Sequence, residues 1–250
     1  MTIRLWLAAL FIFLTCFAAR AGEEVDLELV FLADASGSID DQEILFQRQG
    51  YVDALQSKQI LGAIKSGLIG KIAVTYIEWG AADSQVQVTP WMVIEDEASA
   101  ARFAATLMAP PRQAFGRNAI GSAIAAAHKA IETNDFDGQR RVIDFSGDSA
   151  NNWGGLPVDT ARQAALDDGL IINALAILCR DCNGRPVRYD LENAYAEQII
   201  GGPGSFVVTA DGRARFAEAV RKKLILEIAD IVKQPGMIVR LIGDEPQRLE

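Results

Sequence analysis

The chain has 250 residues, half of them hydrophobic, which is enough to bury one sizeable core and short for two domains. It carries 24 basic and 33 acidic residues, a formal net charge of −9. A surface of that sign repels polyanions, which argues against nucleic acid or an anionic membrane as partner.

The N-terminal stretch Met1 to Ala21 stands apart. Arg4 gives a short positive start, Leu5 to Ala19 is apolar, and Ala19-Arg20-Ala21 forms an A-x-A cleavage site before Gly22. This is the pattern of a Sec signal peptide, and its apolar core is short for a membrane span. Cys16 lies inside it, but Phe13-Leu14-Thr15 and Phe17 around it fit a lipidation site poorly. No second apolar run approaches spanning length. The mature chain is therefore expected to be exported, secreted or periplasmic, with no stable membrane insertion after cleavage. Residues 22–234 read as one domain and residues 235–250 as a tail.

Glu28 to Ala33 is an apolar strand that ends in Asp34-Ala35-Ser36-Gly37-Ser38. Glu43 to Ile64 repeats apolar residues on one side and reads as a single helix. Lys71 to Trp79 is β-branched and aromatic, a strand. Turn residues Gly80 to Ser84 lead into Gln85 to Ile94, which alternates; the short connection favours an antiparallel hairpin. Glu95 to Met108 is a helix stopped by Pro110-Pro111. Asn118 to Ile131 is an alanine-rich helix, and Arg141 to Phe145 a strand ending in Ser146-Gly147-Asp148-Ser149. Asp159 to Asp168 is helix, Leu170 to Leu178 strand, Asp190 to Ile200 helix, Ser205 to Val208 strand and Arg213 to Val232 helix. This alternation predicts an α/β fold: a doubly wound, mostly parallel sheet with one antiparallel edge strand and helices on both faces.

In such a sheet, ligands bind at the carboxyl ends of the strands where strand order switches. Three loops carry oxygen donors to that place: Asp34-Ala35-Ser36-Gly37-Ser38, Gly116 to Ser122, and Ser146-Gly147-Asp148-Ser149. Asn118 reads equally as a helix N-cap or as a ligand. Trp153, just past Asp148, is a candidate partner contact. Trp79 and Trp91 read as core or hairpin packing.

Asp144 and Glu78 fall in central strands, where an unpaired charge is costly, so pairing with an Arg or Lys is expected rather than a second acidic site. His128 is the only histidine and reads as a helix-surface or packed imidazole. There is no Gly-x-Ser-x-Gly elbow, no phosphate loop and no His/Cys zinc set. Cys179 and Cys182 stand in Cys-Arg-Asp-Cys. A local disulfide is the default in an oxidising compartment, with redox or metal roles as alternatives.

The constellation Asp34-x-Ser36-x-Ser38 with the later Asp148 resembles the von Willebrand factor A domain and its metal-ion-dependent adhesion site. The resemblance runs from about Leu27 to Ile231. The last third resembles a bacterial family of secreted von Willebrand factor A-like proteins of unknown function. The resemblance implies Mg²⁺ or another divalent cation held by Asp34, Ser36, Ser38, Asn118 and Asp148. The serines would touch the metal and the two Asp residues would act mainly through water. It also implies a protein partner offering Asp or Glu to the cation. Asn118 departs from the family's Thr, and Ser-Gly-Asp-Ser departs from the commoner Thr-Asp-Gly. The expected function is a Mg²⁺-dependent protein-binding module. A metal-independent scaffold of the same fold is the alternative, and a metal-assisted hydrolase a distant third.

Overall fold

The computed structural model describes residues 22–178, 189–229 and 237–239. The signal-peptide stretch and Cys179 and Cys182 lie outside the described residues, as does most of the predicted tail.

The central strand β2 (Leu27–Asp34) is buried along its whole length. Its residues alternate between the two faces, as the two-residue period requires. Leu27, Leu29, Phe31 and Ala33 enter one core, and Val30 and Leu32 the other. A strand covered on both sides reads as a continuous apolar run, which is why Leu29 to Ala33 contains no polar residue.

β2 pairs in parallel with β3 (Ile72–Trp79) on one side and with β6 (Arg141–Gly147) on the other. From β6 the sheet continues in parallel through β7 (Ile171–Leu178) and β8 (Phe206–Asp211) to β9 (Met237–Val239). On the other edge β4 (Gln85–Ile94) runs antiparallel to β3. The seven-stranded order is β4-β3-β2-β6-β7-β8-β9. A separate two-stranded sheet joins β1 (Glu23–Val25) to β5 (Phe136–Gly138).

Helices α1 (Asp41–Leu55), α2 (Lys58–Lys65), α3 (Glu97–Met108) and α7 (Arg213–Ile228) cover one face. Helices α4 (Ile120–Glu132), α5 (Val158–Asp167) and α6 (Leu191–Gln198) cover the other. The doubly wound α/β architecture, including the single antiparallel edge strand, is the one expected from the sequence.

Three details differ. The helix read over Glu43 to Ile64 is two helices. Ser57 separates them: its hydroxyl donates to Ala54 O at 2.7 Å and accepts from Ile60 N at 3.3 Å, capping α2. The apolar period runs on across the break because both helices bury their faces in the same core. The final helix ends at Ile228, four residues short of the expected Val232. And β9 lies inside the stretch read as a tail; its three residues are too few for periodicity to register.

The two charges in central strands are paired, as expected. Glu78 meets Arg48 of α1, with Nη2 to Oε1 at 2.6 Å and Nε to Oε1 at 3.0 Å, both side chains fully buried. Asp144 meets Lys223 of α7 at 2.7 Å, and the same Nζ lies 2.5 Å from Glu227.

Candidate metal centre

Strand order reverses between β2 and β6: the chain leaves β2 towards β3 and β4, then returns to the other side. Asp34 is the last residue of β2, and Asp148 follows the last residue of β6. The switch point therefore brings together two carboxylates far apart in sequence.

Asp34 is fully buried, and its Oδ1 accepts from Ser36 N at 2.7 Å, folding the loop back over the strand end. Ser36 and Ser38 hydroxyls lie 3.3 Å apart, and Ser38 also bonds the Asp148 carboxylate. Gly147 lets the third loop close on the first: a Cβ there would sit 3.1 Å from Asp34 Oδ2 and 2.9 Å from Tyr195 Oη.

The second loop is stitched to both others. Gly37 N donates to Gly116 O at 2.8 Å, and Trp153 N donates to Asn118 O at 2.7 Å. Gly116 has φ +99°, a left-handed conformation suited to glycine. Asn118 is buried, but it does not cap α4. Ala119 holds the cap position with no side-chain bond, and Gly121 N takes Asn152 Oδ1 instead, at 3.4 Å. Of the two readings of Asn118, the capping one is not realised.

The electrostatics are those of an anionic hole. Burial first, and the charge of Asp148 second, raise the Asp34 carboxyl to about 7. Burial likewise raises Asp148, with the Ser38 hydrogen bond acting against it and Glu43 adding to it. Asp34 Oδ2, Asp148 Oδ1 and Asn118 Nδ2 are buried with no hydrogen-bond partner. Orphaned polar atoms of this kind are expensive. A half-turn of the Asn118 amide puts its oxygen where the nitrogen stands. A hard dication with its waters would satisfy all three side chains, so the donor set fits Mg²⁺.

Several residues essential to this geometry carry no sequence signal. Arg112 binds the first loop through carbonyls: its Nη1 donates to Ile39 O at 2.7 Å, Nη2 to Ser36 O at 3.0 Å and also to Ala35 O, and Nε to Ala114 O at 2.8 Å. Tyr195 Oη donates to Ser149 O at 3.1 Å and braces the third loop. Gln47 Nε2 reaches Asp34 O at 3.4 Å.

Trp153 is exposed, at 60 %, whereas Trp79 is fully buried and stacked on Phe145 at 5.3 Å. Trp91 packs beside α4 with its indole donating to Ala130 O at 3.1 Å. His128 lies on the surface, away from the three loops, with Nε2 2.8 Å from Asp168 Oδ2. Glu132 stands near enough to form a ligand triad with them, but Arg141 already pairs with Glu132 at 2.5 Å. That group is an ion-pair cluster.

The fold is von Willebrand factor A-like. Residues 24–232 match the family described as "Protein of unknown function (DUF1194)", and the chain belongs to that family. No curated protein matches it in sequence.

Solved structures share the fold. The proximal thread matrix protein 1 of the mussel byssus, solved with zinc in its adhesion-site motif, is 16 % identical with a TM-score of 0.53, over 84 % of this chain and 48 % of that one. A von Willebrand factor type A protein from Catenulispora acidiphila is 14 % identical, TM-score 0.54, over 82 % and 43 %. The corresponding domain of the type V pili tip protein Mfa5 from Porphyromonas gingivalis is 10 % identical, TM-score 0.54, over 84 % and 97 %. The chain spans about half the length of the mussel protein and less of the Catenulispora one.

Proposed function

We propose that this protein is an exported module that holds Mg²⁺ between its three loops and uses the cation to capture a carboxylate of a protein partner. The observation that carries this reading is the set of buried, partnerless atoms Asp34 Oδ2, Asp148 Oδ1 and Asn118 Nδ2, contributed by three loops that hydrogen bonds tie together. Ser36, Ser38 and Asn118 are the direct protein ligands; Asp34 and Asp148 orient the water ligands and hydroxyls. All direct donors are then neutral. A cation with no carboxylate bound to it keeps most of its charge for an incoming Asp or Glu. Oxygen donors without sulfur or imidazole favour Mg²⁺ over softer ions.

Export rests on the N-terminal signal pattern. Among the described residues no helix is long and apolar enough to cross a membrane. The zinc-occupied motif named for the mussel protein and the pilus-tip setting named for the Porphyromonas protein lend support by analogy only.

The test is calorimetric titration with acetylated, amidated Gly-Asp-Gly and Gly-Asn-Gly, in Mg²⁺ and in EDTA. The Asp peptide is expected to bind only with Mg²⁺, and the Asn peptide under neither condition. Equal binding of the Asp peptide in EDTA would replace this reading with the metal-independent scaffold.

A further inference from the structure

Among the described residues, four of the seven large exposed hydrophobic side chains, Phe115, Trp153, Leu156 and Tyr189, belong to the loops at the carboxyl ends of the strands. Two arginines stand among them, and they are used differently. Arg112 lies 4.9 Å from the Phe115 ring, but its nitrogens are consumed by four loop carbonyls. It is a fastener.

Arg117 is exposed, and its guanidinium sits 4.2 Å from the Trp153 ring centroid. Arg117 makes no hydrogen bond and no ion pair among the described residues. A guanidinium held face-on by an indole keeps its N–H edge free, and the contact limits the rotamer freedom it would otherwise lose on binding. The pair is also anchored to the candidate metal centre. Arg117 precedes Asn118, and Trp153 N donates to Asn118 O at 2.7 Å.

We propose that Arg117, stacked on Trp153, is a second carboxylate receptor, so that the partner presents an acidic segment with two acids: one for the cation and one for the guanidinium. This rests on the metal-dependent reading above. Because Arg117 adjoins Asn118 in the chain, the test places the two acids a few residues apart, a separation that an extended segment spans. Charge complementarity selects this occupant. A chain of net charge −9 repels a long polyanion, while a free arginine beside a cation attracts a short acidic segment locally. The planar fork matches a carboxylate through two parallel hydrogen bonds.

The experiment uses two blocked peptides, Gly-Asp-Gly-Gly-Glu-Gly and Gly-Asp-Gly-Gly-Gln-Gly, titrated into the wild-type protein and Arg117→Gln in Mg²⁺, with parallel EDTA runs. The two-acid peptide is expected to bind the wild type about tenfold tighter. Arg117→Gln should remove that preference while leaving the one-acid affinity within about twofold. Trp153→Ala should weaken the preference by freeing the guanidinium. Equal response of the wild type to both peptides, absence of binding included, overturns the proposal, as does a preference that survives in Arg117→Gln. A preference that depends on Arg117 but is indifferent to EDTA keeps the second receptor and overturns the metal-dependent reading instead.

Discussion

At Asp34 one carboxylate oxygen accepts the Ser36 amide and the other accepts nothing. The charge of Asp148 adds to the cost of burial there. Asp34→Asn retains an acceptor for Ser36 and removes the repulsion. In EDTA at pH 8 this variant should melt a few degrees above the wild type, yet lose the upward shift that Mg²⁺ gives the wild type. A thermal melt with and without Mg²⁺ reads both effects. Asn118 is equally testable. It caps nothing, so Asn118→Ala should leave the EDTA melting temperature within about two degrees of wild type while weakening Mg²⁺ about tenfold by titration. A large loss of stability with unchanged Mg²⁺ affinity would assign Asn118 to the scaffold. At this scale the sequence was informative where chemistry is local. Asp34, Ser36 and Ser38 sit within five residues, and Asp148 ends a recognisable strand. Arg112, Gln47 and Tyr195 were not legible. Their contacts are with carbonyls of distant segments, and no residue-type pattern marks a fastener of backbone oxygens.

Between elements, the buried Arg48–Glu78 pair holds the second loop in place. Arg48 donates from α1 to Leu107 O at 3.2 Å, to Pro110 O at 2.5 Å and to Pro111 O at 3.1 Å. Glu78 Oε2 accepts Gln113 N at 2.7 Å. The pair thus satisfies the backbone where α3 ends and the chain turns towards Asn118. Arg48→Ala would leave Glu78 buried without its counter-charge, and should destabilise the fold by about 3–5 kcal/mol by urea denaturation. A loss below about 1 kcal/mol would show that the pair is replaceable. The sequence marked Glu78 as needing a partner because of its strand position. Arg48 interrupts the apolar face of its helix between Ile44 and Tyr51, but that gap alone does not say which buried acid it meets. The break between α1 and α2 was hidden too: the hydrophobic period persists through Ser57, and only the hydroxyl's two bonds reveal the stop.

Over the whole molecule, the strand and helix alternation made the doubly wound sheet readable, because each strand is long and apolar and each crossover helix has a buried face. The short β1, β5 and β9 strands left no such trace. α7 packs against β7 and β8, and its Lys223 reaches across to β6, so that Asp144, Lys223 and Glu227 meet, with Tyr51 Oη of α1 3.4 Å from Asp144 and Asn173 of β7 2.9 Å from Glu227. One ammonium serves two carboxylates. Burial, then the Glu227 charge, raise Asp144 from 3.8 to about 8, while Lys223 acts in the opposite direction. The folded state therefore holds a proton that the unfolded chain releases near pH 4. The associated stability is fully present below that pH and is lost as pH rises towards 8. Asp34, raised to about 7, acts in the same direction in metal-free protein. Urea midpoints in EDTA should fall by the equivalent of more than about 1 kcal/mol between pH 5 and pH 8. Asp144→Asn should flatten part of that slope, and a midpoint that rises over this range would contradict the assignment.

The central claim is that three loops meeting at the strand-order switch form one cation site. Calorimetric titration of Mg²⁺ into the wild type, Asp34→Ala and Ser36→Ala tests it most directly. One site on the wild type, lost in Asp34→Ala and weakened at least tenfold in Ser36→Ala, is the result this account predicts. Equal binding by all three proteins, or binding by none, would contradict it.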